Sequence, residues 1–207
     1  MAEVSGAERV VGVLGLQGDV EKHLAVLERL GVRGRRVRTP RDLEGLVGLI
    51  LPGGESTTMA RGLASHDLVK PIQELAAAGG RLLGTCAGAI LLARESRNHP
   101  VPTLGLLDVT AERNAYGTQR DSFVAQVDPE EGRSVFAGME CVFIRAPRLC
   151  EPGPAVEVLA RVDGAPVLLR QGPIWVCSFH PELTDDLRIY RAWLGADDGR
   201  GSRPGSG

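Results

Sequence analysis

Several things are scarce in this sequence, and each shortage closes off a class of function. The 207 residues hold four cysteines, Cys86, Cys141, Cys150 and Cys177, at irregular spacings and without a CxxC pair. A chain of this length can bury a core without staples, so these read as reduced thiols rather than a disulfide frame or a zinc site. A cytoplasmic location is therefore expected. The formal charge is only -2, with acidic and basic residues interspersed. That balance argues against a nucleic-acid or membrane surface as the main partner and favours a small ligand. No long apolar run occurs and the N-terminal stretch MAEVSGAERV carries acidic residues, so neither a membrane span nor a signal peptide is expected. The sequence also lacks the GKS/T of a phosphate loop and the GxGxxG of a dinucleotide fold, which disfavours nucleotide binding.

In the first half, short β-branched or leucine-rich runs alternate with helix-length segments, the pattern of a parallel sheet covered on both faces. Strands are expected over residues 10–16, 35–38, 47–51 and 81–85. A helix is expected over residues 19–30, where Val20, Leu24, Leu27 and Leu30 recur at helical spacing before Gly31. A second helical region, 57–78, is broken near Ser65-His66-Asp67. From residue 104 to 170, strand-like runs separated by Gly, Pro and Asp turns predict an antiparallel extension of the sheet. A last strand over 174–179 and a closing helix over 185–194 follow. One domain, residues 1–194, is expected, with a Gly/Ser/Asp/Arg-rich tail, 195–207, that composition makes disordered. The basic stretch 33–41 reads as a solvated strand and loop.

Cys86 sits in Gly-Thr-Cys-Ala-Gly-Ala, residues 84–89, between two apolar runs. A nucleophile on a sharp strand-to-helix turn needs small neighbours two residues away, and Gly84 and Gly88 meet that need. The helix beginning near Ala87 would offer unpaired N–H groups that favour a thiolate and could hold an oxyanion. The second cluster is Ser178-Phe179-His180-Pro181-Glu182, at a strand end, where residues two apart share a face and a carboxylate can approach the imidazole. Cysteine, histidine and carboxylate together make a triad in which histidine moves the proton and the acid fixes its tautomer. The third cluster is Pro52-Gly53-Gly54-Glu55-Ser56-Thr57-Thr58. Its adjacent glycines let backbone N–H groups face developing negative charge, and Ser56 or Thr57 is the expected helix cap. His23, His66 and His99 are expected at the surface. Cys177, three residues before His180, should face away from it and lie in the core.

LPGGES, GTCAG and FHPEL, running along the chain in the order loop, cysteine, histidine, glutamate, resemble the motifs of class I (triad) glutamine amidotransferases. Within that family GVLGLQGDVEKH, LPGGESTTM, RNAYGTQRDSF and FIRAP are most similar to the glutaminase subunits of pyridoxal 5'-phosphate synthase. The resemblance implies an α/β, flavodoxin-like three-layer fold with a mixed, mainly parallel central sheet. It implies hydrolysis of L-glutamine to L-glutamate and ammonia, without cofactor or metal. The ammonia would pass to a (β/α)8-barrel synthase subunit in a large hetero-oligomer, with residues 17–23 as part of the contact. Carried over position by position, Cys86 is the nucleophile, His180 the acid/base and Glu182 its orienting carboxylate. Gly54, Glu55, Ser56, Arg113, Ile144 and Arg145 would contact glutamine, and backbone N–H groups of Gly53, Gly54 and Ala87 would form the oxyanion hole. The planar guanidinium of Arg113 or Arg145 suits the substrate's α-carboxylate. Alternatives on the same elbow are a cysteine peptidase, a non-catalytic redox-sensing stress protein, and a glutaminase serving histidine or purine synthesis.

Overall fold

The computed structural model describes residues 9–113 and 122–195. Residues 114–121 of the RNAYGTQRDSF signature and all but the first residue of the expected tail lie outside them. Strands and helices alternate first: β1 (Val10–Leu14), α1 (Val20–Arg29), β2 (Arg33–Val37), β3 (Leu46–Leu51), α2 (Ser56–Ser65), α3 (Val69–Ala77), β4 (Arg81–Thr85) and α4 (Ala87–Leu92). The remainder is rich in strands: β5 (Ala93–Arg97), β6 (Leu107–Glu112), β7 (Ser122–Gln126), β8 (Asp128–Pro129), β9 (Glu140–Ile144), β10 (Arg148–Cys150), β11 (Glu157–Val162), β12 (Ala165–Gln171) and β13 (Ile174–Cys177), before α5 (Arg188–Trp193).

The central strands are apolar throughout because both of their faces are covered. Along β3 and β4, Leu49, Leu51 and Leu82 turn to one core with Met59, Leu63 and Ile72 of α2 and α3 and the apolar residues of α4. Ile50 and Leu83 turn to the other, with Val26 and Leu27 of α1 and Ile189, Tyr190 and Trp193 of α5. The main sheet runs β2-β1-β3-β4-β13-β12-β11-β8, its first five strands parallel and the rest antiparallel. The order of the parallel part is that of the flavodoxin-like doubly wound fold, in which sites form outside the carboxyl ends of the strands. Because β13, the last strand among the described residues, inserts beside β4, the segment after it arrives next to the segment after β4. Cys86 N–H donates to the Cys177 carbonyl at 2.9 Å.

The expected antiparallel extension is correct for β8, β11 and β12 alone. Strands β5, β6 and β10 form a separate sheet, with β5 and β6 parallel, and β7 pairs with β9 in a third. β5 starts where α4 stops, so the chain is already on the helical layer, and Leu107, Val109 and Ala111 of β6 complete the core there. The region 57–78 is two helices, separated where Asp67 takes φ 53. The closing helix begins later than expected, at Arg188, because the Asp186 carboxylate first accepts the Arg188 N–H at 3.0 Å and holds a turn.

Helix α4 crosses β3 so closely that a Cβ on Gly88 would lie 1.9 Å from the Leu51 carbonyl oxygen. Gly88→Ala is accordingly expected to destabilise the fold by about 1–3 kcal/mol through overpacking, seen as a lower urea midpoint at unchanged slope.

Candidate active site

Cys86 joins β4 to α4 with φ 48 and ψ -103, a conformation costly for any residue with a side chain. The turn holds because the residues two away on either side carry no side chain: a Cβ on Gly84 would lie 2.7 Å from the Gly88 backbone. The thiol is nearly enclosed, 6% exposed, with Sγ 3.7 Å from the Ile144 carbonyl oxygen. Since the Cys86 N–H is engaged by Cys177, an oxyanion at this elbow must look to the next N–H, that of Ala87.

His180 and Glu182 meet as expected, though for a different local reason. β13 ends at Cys177, and strand alternation does not reach them. Pro181, with its fixed φ and no N–H to lose, opens a one-turn 3-10 helix, Pro181–Leu183, with His180 as its N-cap. That turn folds Glu182 Oε1 back to 2.7 Å from His180 Nδ1. The His180 N–H is tied to the Val142 carbonyl at 2.9 Å. The imidazole packs against the glycine loop, where a Cβ on Gly53 would be 2.3 Å from Cε1. Cys177 is fully buried in the core, with burial driving its thiol well above the usual value.

Burial opposes a charged His180, but hydrogen bonds to Cys86 and Glu182 and the charges they carry outweigh it and push the ring up to about 10. Glu182 is buried too, yet His180 and the neighbouring His23 hold its carboxyl below the usual value. His180 is raised above its ordinary 6.5, so the stability it contributes is fully present below pH 6.5 and lost as pH climbs through about 10. The urea midpoint is expected to fall between pH 7 and 10, and to fall less in Glu182→Gln, where one of the two charges sustaining the shift is gone.

The glycine loop is braced from the first strand. Gly18, at φ 97, packs so tightly that a Cβ would lie 1.8 Å from the Gly53 carbonyl oxygen, and Gln17 Oε1 accepts the Glu55 N–H at 2.7 Å. With the Gly53 carbonyl turned to Gly18, the Gly54 N–H of the same planar trans peptide points the opposite way. The helix cap is Glu55, not Ser56 or Thr57. Its carboxylate takes the Thr58 hydroxyl at 2.7 Å and the Thr57 and Thr58 N–H groups, and these bonds hold it down at about 2. Serine and threonine are the usual caps, which is why the sequence pointed past it.

Gln17, Gly18, Asp19, Gly53, Gly54, Glu55, Ser56, Cys86, Ala87, Ile90, Arg113, Ile144, Arg145 and His180 line one cleft of about 350 Å³. Every site residue expected from the sequence is there, with Glu182 buried behind His180. Arg113 is held from behind, Nη2 lying 3.4 Å from Thr57 Oγ1 and 3.6 Å from Glu55 Oε1. Arg145 is exposed, with φ 43. Gln17, Gly18 and Asp19, expected only in a partner contact, line the cleft as well, and Ile90 was not singled out. His66 and His99 are exposed, but His23 is not: it is fully buried beside Glu182, which corrects its expected surface position. It therefore cannot present itself to a partner, whereas Asp19, Glu21 and Lys22 are exposed. Among the described residues, no group of three or more His, Cys, Asp or Glu side chains is disposed to hold a metal ion, and no helix is long and apolar enough to cross a membrane.

A model of the SNO glutamine amidotransferase family matches residues 13–196. The chain is 49% identical over 185 residues to the pyridoxal 5'-phosphate synthase subunit PdxT of Thermotoga maritima, covering 89% of this chain and 97% of that one. It is 50% identical over 194 residues to the protein of the same name from Deinococcus radiodurans, covering 89% and 95%. A solved glutamine amidotransferase superposes with a TM-score of 0.83 at 45% identity, over 89% of this chain and 97% of that chain. At 17% identity and a TM-score of 0.67, a structure of PurLQS from Thermotoga maritima shares the fold, covering 91% and 98%.

Proposed function

The chain belongs to the SNO glutamine amidotransferase family, and from that premise we propose that Cys86, His180 and Glu182 make it a glutaminase. It hydrolyses L-glutamine to L-glutamate and ammonia and supplies the ammonia to a synthase for pyridoxal 5'-phosphate. The observation that carries this is the meeting of Cys86 and His180, from two distant parts of the chain, in the lining of one cleft of about 350 Å³, with Glu182 Oε1 2.7 Å from His180 Nδ1 behind them.

The Cys86 thiolate adds to the side-chain amide carbon of glutamine, and the carbonyl oxygen becomes an oxyanion. The N–H groups of the Gly53-Gly54 loop and of Ala87 hold it, as donors fixed before the reaction and not reoriented during it. The His180 imidazolium gives its proton to the amide nitrogen as the C–N bond breaks, releasing ammonia and leaving a glutamyl thioester on Cys86. Neutral His180 then takes a proton from water, whose oxygen attacks the thioester carbon, and glutamate departs as the thiolate re-forms. Glu182 stays ionised throughout and holds the imidazole by Nδ1.

Arg145 and Arg113 at the rim are the groups suited to the substrate's α-carboxylate. Arg145→Ala is expected to raise KM for glutamine about tenfold or more, the loss of a charge-assisted hydrogen bond, with kcat changed far less. Steady-state glutamate release measures both.

Ammonia released into water at neutral pH is protonated and ceases to be a nucleophile, so a glutaminase that feeds a synthesis works best docked on its acceptor. The partner belonging to this reading is a (β/α)8-barrel synthase subunit in a large hetero-oligomer, in the cytoplasm. Asp19, Glu21 and Lys22, exposed at the start of α1 beside the cleft, are part of the contact. Residues 1–194 act as one glutaminase domain. The test is ammonia and glutamate release by the purified chain with and without that synthase. Release that needs both the synthase and Cys86 supports the reading, and none under either condition refutes it.

A further inference from the structure

A fourth polar side chain stands behind the triad, and the hydrolytic scheme leaves it unused. α1 turns Val20, His23, Val26 and Leu27 inward, and His23 is 0% exposed. Its Nδ1 is 2.9 Å from the Tyr190 hydroxyl of α5, while its Nε2 lies 3.4 Å from Thr85 Oγ1 and 3.6 Å from Glu182 Oε2. Glu182 Oε2 is itself buried and has no hydrogen-bond partner among the described residues.

Protonation follows from burial. Desolvation keeps the Tyr190 hydroxyl protonated, with the Glu182 charge adding to the effect, so it has a hydrogen to give, and the open acceptor Glu182 Oε2 on the Nε2 side of the ring selects donation from Tyr190 to Nδ1. Desolvation also lowers His23 below the ordinary imidazole value, with Glu182 opposing. A neutral imidazole that accepts at Nδ1 carries its hydrogen on Nε2, the nitrogen facing the open oxygen of Glu182. A buried carboxylate with one oxygen engaged by His180 and the other facing no donor would rotate or take up a proton.

We propose that His23, held by Tyr190, is a positioning residue whose Nε2–H faces Glu182 Oε2 and keeps Oε1 aimed at His180 Nδ1. The series then runs Tyr190, His23, Glu182, His180, Cys86, drawn from α5, α1, the 3-10 turn and the elbow. His23 touches neither substrate nor Cys86, and its effect passes through Glu182. The role rests on the glutaminase reading for its consequence in catalysis but not for its geometry.

Three variants test it: His23→Phe, which keeps a ring but no N–H; His23→Gln, whose Nε2 can reach the same oxygen; and Tyr190→Phe, which removes one hydroxyl from a packed ring. Two quantities are read. One is kcat and KM for glutamine with the synthase present; the other is the downfield proton resonance of the His180 Nδ1–H bonded to Glu182, recorded on the chain alone. His23→Phe should lower kcat about tenfold or more, as a mis-set general base does, with KM within about twofold and the resonance lost or moved upfield. His23→Gln should restore both, and Tyr190→Phe should show the same change more weakly. Retention of the resonance in His23→Phe, or His23→Gln as impaired as His23→Phe, would overturn the proposal. Because the resonance needs no substrate, a parent chain inactive on glutamine would refute the glutaminase reading while the resonance still judges His23.

Discussion

Cys86→Ala is expected to lower glutamine hydrolysis by about 10³-fold or more, since removing the nucleophile of a triad removes the covalent path altogether. The fold should be untouched. The side chain projects into the cleft, the backbone turn is set by Gly84 and Gly88, and alanine bears the φ of 48 no worse than cysteine does. The variant should therefore fold to the same structure, its stability at neutral pH lowered only by the share of the His180 shift that Cys86 sustains, and glutamine should still bind. Hydrolysis that survives in Cys86→Ala would place the chemistry elsewhere.

Glu182→Gln changes one heavy atom and should be almost as damaging, by about 10²–10⁴ in kcat. The site is shielded from water, so the imidazolium that forms at His180 has little but the carboxylate to balance it. Without that charge the ring is a weaker base toward the thiol and toward water. KM should move little, because Glu182 lies behind His180 and does not line the cleft. An equal rise in KM with kcat preserved would mean that Glu182 shapes the pocket and does not hold the base.

The parts of the structure legible in the sequence are those set by local rules. β3 and β4 are short apolar runs, β3 leading straight into glycine and proline, and the elbow at Cys86 must be flanked by glycine whatever the rest of the chain does. The meeting of His180 with Glu182 was likewise legible, although the two are brought together by a proline-started turn and not by the alternation that predicted it. What escaped depends on distant partners. Nothing local in the runs between residues 104 and 170 says which sheet each strand joins; β6 departs from the main sheet because α4 offers it a surface. His23 had a signal that went unused: it lies three residues after Val20 and four before Leu27, within the apolar stripe of α1. A polar residue on such a stripe must find a buried partner, and that partner turned out to be Tyr190 with Glu182 alongside.

The most direct measurement is acid quenching of the chain during turnover with glutamine in the presence of the synthase, followed by the mass of the peptide containing Cys86. A glutamyl group on that peptide, absent from Cys86→Ala, is the predicted result. Glutamine consumed at full rate with no adduct on Cys86, and equally fast in Cys86→Ala, would contradict the thioester mechanism and the assignment of this cleft as the active site.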